Sequence, residues 1–411
     1  MEQTTTEIAI DKNTIADIPI EENLISIADK NLIVKNYVMK LFLLMLLWFI
    51  IVLSFIWIID PYGVSPVHIP LTGINTLKPE RIDIDRMIKP YEVWRDQPKT
   101  VFLGTSRIHQ SIDPSTLDHT EFAPAYNAAV PASTLSQNAA NLEEYFRLDK
   151  NLQYVFIELF IYNFIFPQPE APKRTFSDFL RTSTSITFSA DTLISAFKTL
   201  SFNKSALPIG PYISPHGNWI RPEAFNTKDT FNQKLYIDNI INIHKNIPDM
   251  IIQPTAIDSL NRIVALCKKH HAKLYMIITP SYPWDDYRLL SLGYWPLLEE
   301  WVKKMSAYDN VLSFSQYNTL LEERAGEKMK WWNDPIHFGS HMGHLMLLSF
   351  LGIHTPEIPN NLMRPVKPNN FMTVLQERRS GLNHWIRKNH EFVTALNAAK
   401  TTAGNVERRA T

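Results

Sequence analysis

Residues Leu41 to Ile59 carry no formal charge and consist of Leu, Ile, Phe, Met, Val and Trp around a single Ser. At about 1.5 Å per residue, such a run makes a helix of roughly 30 Å, the thickness of a bilayer's hydrocarbon core. Nothing else in the chain restricts the fold as strongly, because a helix that is apolar all round must be hidden in a large core or in lipid. Tyr37, Trp57 and Tyr62 lie at or near its ends, where aromatic rings favour the headgroup region, while Trp48 is mid-span. A cleaved secretory signal is the competing reading. The polar stretch of about 40 residues before the run, and the lack of a small-x-small site after it, count against that.

Lys30, Lys35 and Lys40 precede the run and Asp60 follows it, which favours a cytoplasmic N-terminus and an exported remainder. Lys78, Arg81, Arg86 and Lys89, beyond the run, weaken that bias. The expected organisation is a disordered cytoplasmic tail over 1–37, a single-pass signal anchor over 38–60 and a main domain over 61–355. A C-terminal tail over 356–411 follows, partly helical. The 41 basic and 41 acidic residues cancel and are scattered, so nothing points to nucleic acid as a ligand. One cysteine, Cys267, cannot form an intrachain disulfide, so an exported domain must hold together by packing. No zinc spacing, Walker loop or Gly-rich dinucleotide turn is present, and no cofactor or metal is expected.

Beyond the anchor, Asp60-Pro61-Tyr62-Gly63 reads as a turn and the segment to Pro79 as a linker on the membrane surface. Buried strands are expected at Lys99–Leu103, Tyr154–Phe160, Lys273–Thr279 and Val311–Phe314. Helices are expected at Ser133–Phe146, Ala256–His270, Leu297–Met305 and His341–Phe350. Continuous apolar strands alternating with amphipathic helices predict an α/β fold, a parallel sheet flanked by helices as a three-layer sandwich. The polar region 164–250 interrupts this rhythm and reads as an inserted cap. After Pro359, basic and apolar residues alternate; a solvated helix is favoured over one lying on an anionic membrane.

Two segments far apart in sequence carry complementary chemistry. Val101-Phe102-Leu103-Gly104-Thr105-Ser106-Arg107 ends an apolar strand on a Ser, and Asp334-Pro335-Ile336-His337-Phe338-Gly339 sets a carboxylate three positions before an imidazole. A nucleophilic Ser needs a base within hydrogen-bond reach, and that base needs a carboxylate to fix its tautomer. Several residues have alternative readings. Ser106 and Asp334 can each be simple helix caps. Asp334, His337 and His341 can form a metal site, with His344 on a similar helical face. His109 can be a competing base or a polar surface residue. Arg107 can pair with a structural carboxylate or bind an anionic substrate group. Trp331 and Trp332 can stack on a sugar or pack beside the site, and Pro280-Ser281-Tyr282 also follows a strand.

These residues resemble the SGNH (GDSL-like) hydrolase superfamily, in particular the membrane-anchored bacterial branch that includes alginate O-acetylation proteins and the D-alanine transfer protein of teichoic acids. The resemblance covers about residues 38 to 352 and rests on Asp60-Pro61-Tyr62-Gly63, Gly104-Thr105-Ser106-Arg107, Tyr126-Asn127-Ala128-Ala129 and Asp334-Pro335-Ile336-His337-Phe338. It implies an SGNH/flavodoxin-like sandwich in which Ser106 is the nucleophile, His337 the general base and Asp334 its orienting carboxylate. It also implies oxyanion donors from the Ser106 N–H and from a turn at Ala128 and Ala129 positioned by Asn127. Family members carry Gly where Ala128 or Ala129 stands. Their third block has a Gly-x-Asn-Asp-like motif where this chain reads Glu158-Leu159-Phe160-Ile161-Tyr162-Asn163, leaving Asn163 as an offset substitute. The implied setting is a bacterial inner-membrane protein with its main domain in the periplasm. The implied activity is that of an esterase or O-acyltransferase on cell-envelope or exported polysaccharide, served by a polytopic membrane acyltransferase. The altered second and third blocks leave a second expectation, a catalytically silent member that binds polysaccharide or scaffolds an assembly.

Overall fold

The apolar run lies in helix α1, Ile27–Ile59, in a computed structural model that describes residues 27–65, 69–167, 176–187, 189–205, 210–221, 250–323, 329–394 and 397. From Lys30 to Ile59 the helix is long and apolar enough to cross a membrane. It begins earlier than the expected span. Residues 27–37, assigned to a disordered tail, are helical, because no Gly or Pro interrupts them and the apolar run gives the helix a nucleus to extend from. The rest of the expected tail lies outside the described residues. Among the described residues, those up to Ser54 form one compact unit and those from Phe55 a second.

In the second unit a 3₁₀ turn, Pro79–Ile84, leads into α2 (Asp85–Asp96), β1 (Thr100–Leu103), α3 (Ser106–Ser111) and β2 (Ala125–Asn127). Then come α4 (Leu135–Leu148), β3 (Tyr154–Leu159), α5 (Tyr162–Ile165), α6 (Phe176–Thr187), α7 (Ala190–Lys204), and the short pair β4 (Tyr212–Ile213) and β5 (Trp219–Ile220). The chain continues through α8 (Pro254–Lys269), β6 (Lys273–Ile278), α9 (Pro283–Ser291), α10 (Trp295–Met305), β7 (Val311–Ser313), α11 (Ser340–Phe350), β8 (Arg364–Pro365) and α12 (Phe371–Lys388). Local chemistry sets several starts. Thr134 and Gln137 close a reciprocal capping box on α4, and Pro254 opens α8 at a position where its missing N–H costs nothing.

The main sheet has the order β2-β1-β3-β6-β7-β8, parallel throughout except for β8. Its central strands are buried on both faces, as their unbroken apolar sequences predict. Register aligns Phe102 with Phe156 and Phe156 with Tyr275. Their rings stack across three strands at 4.6 and 4.8 Å. Phe350 of α11 meets this ladder edge-on, 5.1 Å from Phe156 and 4.9 Å from Tyr275. Because side chains alternate along a strand, Val155 and Ile157 face the opposite layer; there α4 packs against α8. The chain leaves β1 for β2 on one side and returns past it to β3. The carboxyl ends of β1 and β3 therefore flank the switch point where doubly wound sheets bind ligands.

Two further expectations need correction. The segment after Asp60, expected as a linker on the membrane surface, is packed into the domain in part. Asp60, Asn75 and Lys78 are buried, with Lys78 Nζ 2.5 Å from the Asp60 carbonyl and 3.3 Å from that of Ile59, so an ammonium sits on the last carbonyls of α1. The C-terminal segment is no solvated helix. α12 buries Val374, Leu375, Leu382 and Trp385, and Arg378 pairs with the buried Asp286 of α9. Of the expected insert, the described parts are α5, α6, α7 and the β4–β5 hairpin, while 222–249 lies outside the described residues. The hairpin docks at the carboxyl end of β2, where the Asn127 amide donates to His216 O at 2.8 Å.

Candidate active site

The chain turns sharply after β1. At Gly104 a Cβ would lie 2.6 Å from Ile108 Cγ1 and 2.9 Å from Glu158 Cβ, so only glycine passes between α3 and β3 here. Thr105, not Ser106, caps α3, accepting the Arg107 N–H at 3.3 Å. The Thr105 amide and hydroxyl both donate to Glu158 Oε2, at 2.7 and 2.8 Å. Ser106 is thereby freed from capping. Its Oγ lies 2.9 Å from His337 Nε2, and His337 Nδ1 lies 2.7 Å from Asp334 Oδ2. Asp334 Oδ1 accepts the backbone N–H groups of Ile336 and His337, each at 2.8 Å. Burial pushes the Asp334 carboxyl up, but the His337 ring and these two amides outweigh it and hold the group below its ordinary value. A carboxylate at Nδ1 assigns the ring proton to that nitrogen and leaves Nε2 to accept from Ser106. Asp334 is not the cap of α11, whose N-cap is Gly339.

Two side chains of α3 hold the histidine loop. Arg107 donates to Ile336 O at 2.7 Å and Ser111 donates to Phe338 O, so the carbonyls on either side of His337 are fixed from the helix that carries Ser106. Asn333 adds a bond to Gln110 Oε1 at 3.2 Å. α11 lies close against α3, and a Cβ at Gly343 would stand 1.8 Å from Ser111 O. Of the two readings of Arg107, the structure has the pairing with a structural carboxylate: it is a buried clamp and not a substrate contact. Its guanidinium pairs with Glu158 at 3.2 Å, donates to Thr279 Oγ1 at 3.0 Å and to Pro280 O, and lies over the Phe160 ring. Burial lowers its pKa, with Glu158 opposing. Sequence reading missed Glu158 as the group that holds both Thr105 and Arg107. A lone acid in an otherwise apolar strand was the available signal.

The second block is built differently from the expectation. Asn127 Nδ2 donates to Ile108 O and Ile112 O at 2.9 and 2.8 Å, satisfying carbonyls at the end of α3, and its Oδ1 accepts the Ala129 N–H at 3.1 Å. Ala129 is therefore not an open oxyanion donor, because the side chain meant to position its amide occupies it. Asn163 is half-buried in the single turn of α5, its own amide donating to Phe160 O at 2.8 Å. The Ser106 amide opens α3, a position where the helix itself supplies its N–H no acceptor.

Other candidates fall outside the site. His109 is buried, not at the surface, with Nε2 2.9 Å from Asp85 Oδ2, and burial lowers its pKa. It belongs to a buried cluster of Arg81, Asp85, Lys89, Glu92 and Tyr126. Lys89 Nζ there donates to Asn127 O at 2.5 Å and Gly217 O at 2.6 Å, and burial pulls its pKa down to about 8. The i, i+4 spacing of Arg81, Asp85 and Lys89 is the sequence trace of this cluster. Ser281 accepts from Arg378 at 3.1 Å and serves the α9–α12 junction. Trp332 is buried with its indole N–H on Leu320 O at 3.3 Å, which settles it as packing. His341 and His344 are exposed, and among the described residues no group of three or more His, Cys, Asp or Glu converges as a metal site. Compared with models of known protein families the chain matches none, and among curated proteins no significant match is found.

Proposed function

We propose that this chain is a Ser-His-Asp esterase or O-acyltransferase of the SGNH type, with its main domain on the periplasmic side of a bacterial inner membrane. The observation that carries this reading is the continuous line of hydrogen bonds from Ser106 Oγ through His337 to Asp334, at 2.9 and 2.7 Å, beside the switch point of a parallel sheet. In the first half-reaction His337 Nε2 takes the Ser106 proton as Oγ bonds to the ester carbonyl carbon. The Ser106 amide faces the oxyanion, and His337 returns the proton to the departing alcohol, leaving the acyl group on Oγ. In the second half, an acceptor hydroxyl or water gives its proton to His337 and attacks the acyl carbon, and Ser106 regains the proton. Asp334 remains a carboxylate throughout and stabilises the transient imidazolium. The acceptor is cell-envelope or exported polysaccharide, and a polytopic membrane acyltransferase supplies the acyl group; both follow from the resemblance of the four motifs.

A second reading draws support from the Asn127–Ala129 bond, which removes one oxyanion donor: a silent protein that binds polysaccharide or scaffolds an assembly. One experiment separates the two. The detergent-solubilised full chain is treated with p-nitrophenyl acetate and with a fluorophosphonate, and envelope glycans are profiled by mass spectrometry in cells carrying Ser106→Ala. An enzyme shows a burst, labelling at Ser106 and altered glycan acylation in the variant. No burst, no label and unchanged acylation would leave the binding role.

A further inference from the structure

α7 buries several polar side chains and exposes two large apolar ones. Its small polar side chains Thr192, Ser195, Thr199 and Asn203 are buried against the domain, whereas Ile194 and Phe197 are 56% and 58% exposed. Several of those polar groups are committed inward: Ser195 Oγ accepts from Tyr62 OH at 3.0 Å and donates to Glu80, and Asn203 brackets the backbone of Leu77 from both sides. Asp191, Lys198, Ser201 and Lys204 are exposed as well, so Ile194 and Phe197, one turn apart, form an apolar strip on an otherwise polar face.

The position of this apolar strip points to what covers it. The Phe197 ring lies 4.8 Å from that of Phe55, and Phe55 belongs to the uncharged run of α1. It stands four residues before the end of the helix, about 6 Å along the axis. Ile69 is 61% exposed at the same place: Asn75 Nδ2 donates to both Ile58 O and Ile69 O, at 2.7 and 3.0 Å. Trp57 and Ile58 are exposed on the helix itself. Ile69, Ile194 and Phe197 thus gather around the last turn of α1, and Lys198 stands beside them on the α7 surface with its ammonium on Glu80. That is the make-up of an interfacial helix: apolar side chains reaching about 5–10 Å into the headgroup and acyl boundary, with a basic residue at its margin.

We propose that α7, with Ile69, lies in the lipid bilayer interface, so that the domain meets the membrane through a second apolar contact in addition to α1. This rests on the reading of α1 as a membrane anchor. The contact limits how the domain can turn about the anchor, and hence which way the Ser106 site faces.

The test uses the full chain reconstituted in vesicles of phosphatidylethanolamine and phosphatidylglycerol. In a Cys267→Ala background, nitroxide labels are placed singly through Ile194→Cys, Phe197→Cys, Phe49→Cys and Lys303→Cys, and their collisions with oxygen and with a polar nickel chelate are measured. Ile194→Cys leaves the Phe55–Phe197 contact in place. Labels at 194 and 197 are expected to resemble the one at 49, favouring oxygen over nickel several-fold relative to the label at 303. If they match 303 while 49 remains lipid-facing, α7 faces water and the proposal fails with the anchor intact. If 49 also matches 303, the anchor reading fails and the proposal with it. Shielding of 194 and 197 from both reagents would mean that protein, not lipid, covers α7, and would equally overturn it.

Discussion

Replacing Asp334 by Asn separates the charge of the carboxylate from its structural duty. In the native loop Oδ1 takes two backbone N–H groups at 2.8 Å and Oδ2 takes the imidazole N–H at 2.7 Å. An Asn keeps an oxygen for the two amides, so the loop holds its shape. Its NH₂ then faces Nδ1 and can only donate, which forces the ring proton onto Nε2. His337 would present a donor to Ser106 instead of an acceptor, and the proton of Oγ has nowhere to go. Loss of the correct tautomer in a triad costs about 10⁴-fold in rate, close to 5.5 kcal/mol of transition-state stabilisation. The folded state loses only the difference between a charge-assisted and a neutral hydrogen bond, on the order of 1 kcal/mol. The assay pairs the rate of fluorophosphonate labelling at Ser106 with thermal unfolding of the same preparation. A variant that labels within tenfold of wild type, with its fold intact, would falsify the assignment of Asp334.

Gly343→Ala would place a Cβ 1.8 Å from the Ser111 carbonyl and push α11 off α3; a stability loss of about 1–3 kcal/mol and a fall in kcat/KM of roughly 10²-fold are expected, read from Tm and ester hydrolysis. Trp385→Ala, in a helix otherwise read as solvated, is expected to cost about 3–5 kcal/mol, and an unchanged Tm would show that α12 is not part of the fold. Burial raises the Asp85 pKa, but Lys89, Arg81 and His109 outweigh it and hold the group far below the ordinary value. Since the unfolded chain takes up that proton near pH 4, the Asp85 contribution is full above this pH and is lost as pH falls below it. Tm curves of wild type and Asp85→Asn are therefore expected to lie well apart at pH 6 and to converge below pH 4.

The sheet was legible because its strands are buried on both faces and therefore read as unbroken apolar runs: Thr100–Leu103, Tyr154–Leu159 and Lys273–Ile278 fall within a residue or two of expectation. The order and spacing of Ser106, Asp334 and His337 were equally visible, since that chemistry needs those residue types whatever surrounds them. Buried charge was not legible. His109 and Arg378 read as surface groups, and Arg107 was left open between a structural ion pair and a substrate contact, because the partners that allow their burial, Asp85, Asp286 and Glu158, lie on other elements. Asn127 misled for a related reason. Its type suits an oxyanion site, but its position at a strand end suits the carbonyls of α3 as well, and only the three-dimensional register decides between them.

The short helix after β1 holds more than Ser106. By gripping the carbonyls of Ile336 and Phe338, its Arg107 and Ser111 make His337 a passenger of the same turn of chain. Tilting or sliding of that turn over the sheet carries hydroxyl and imidazole together, so the gap the proton must cross is insulated from the breathing of everything folded between them.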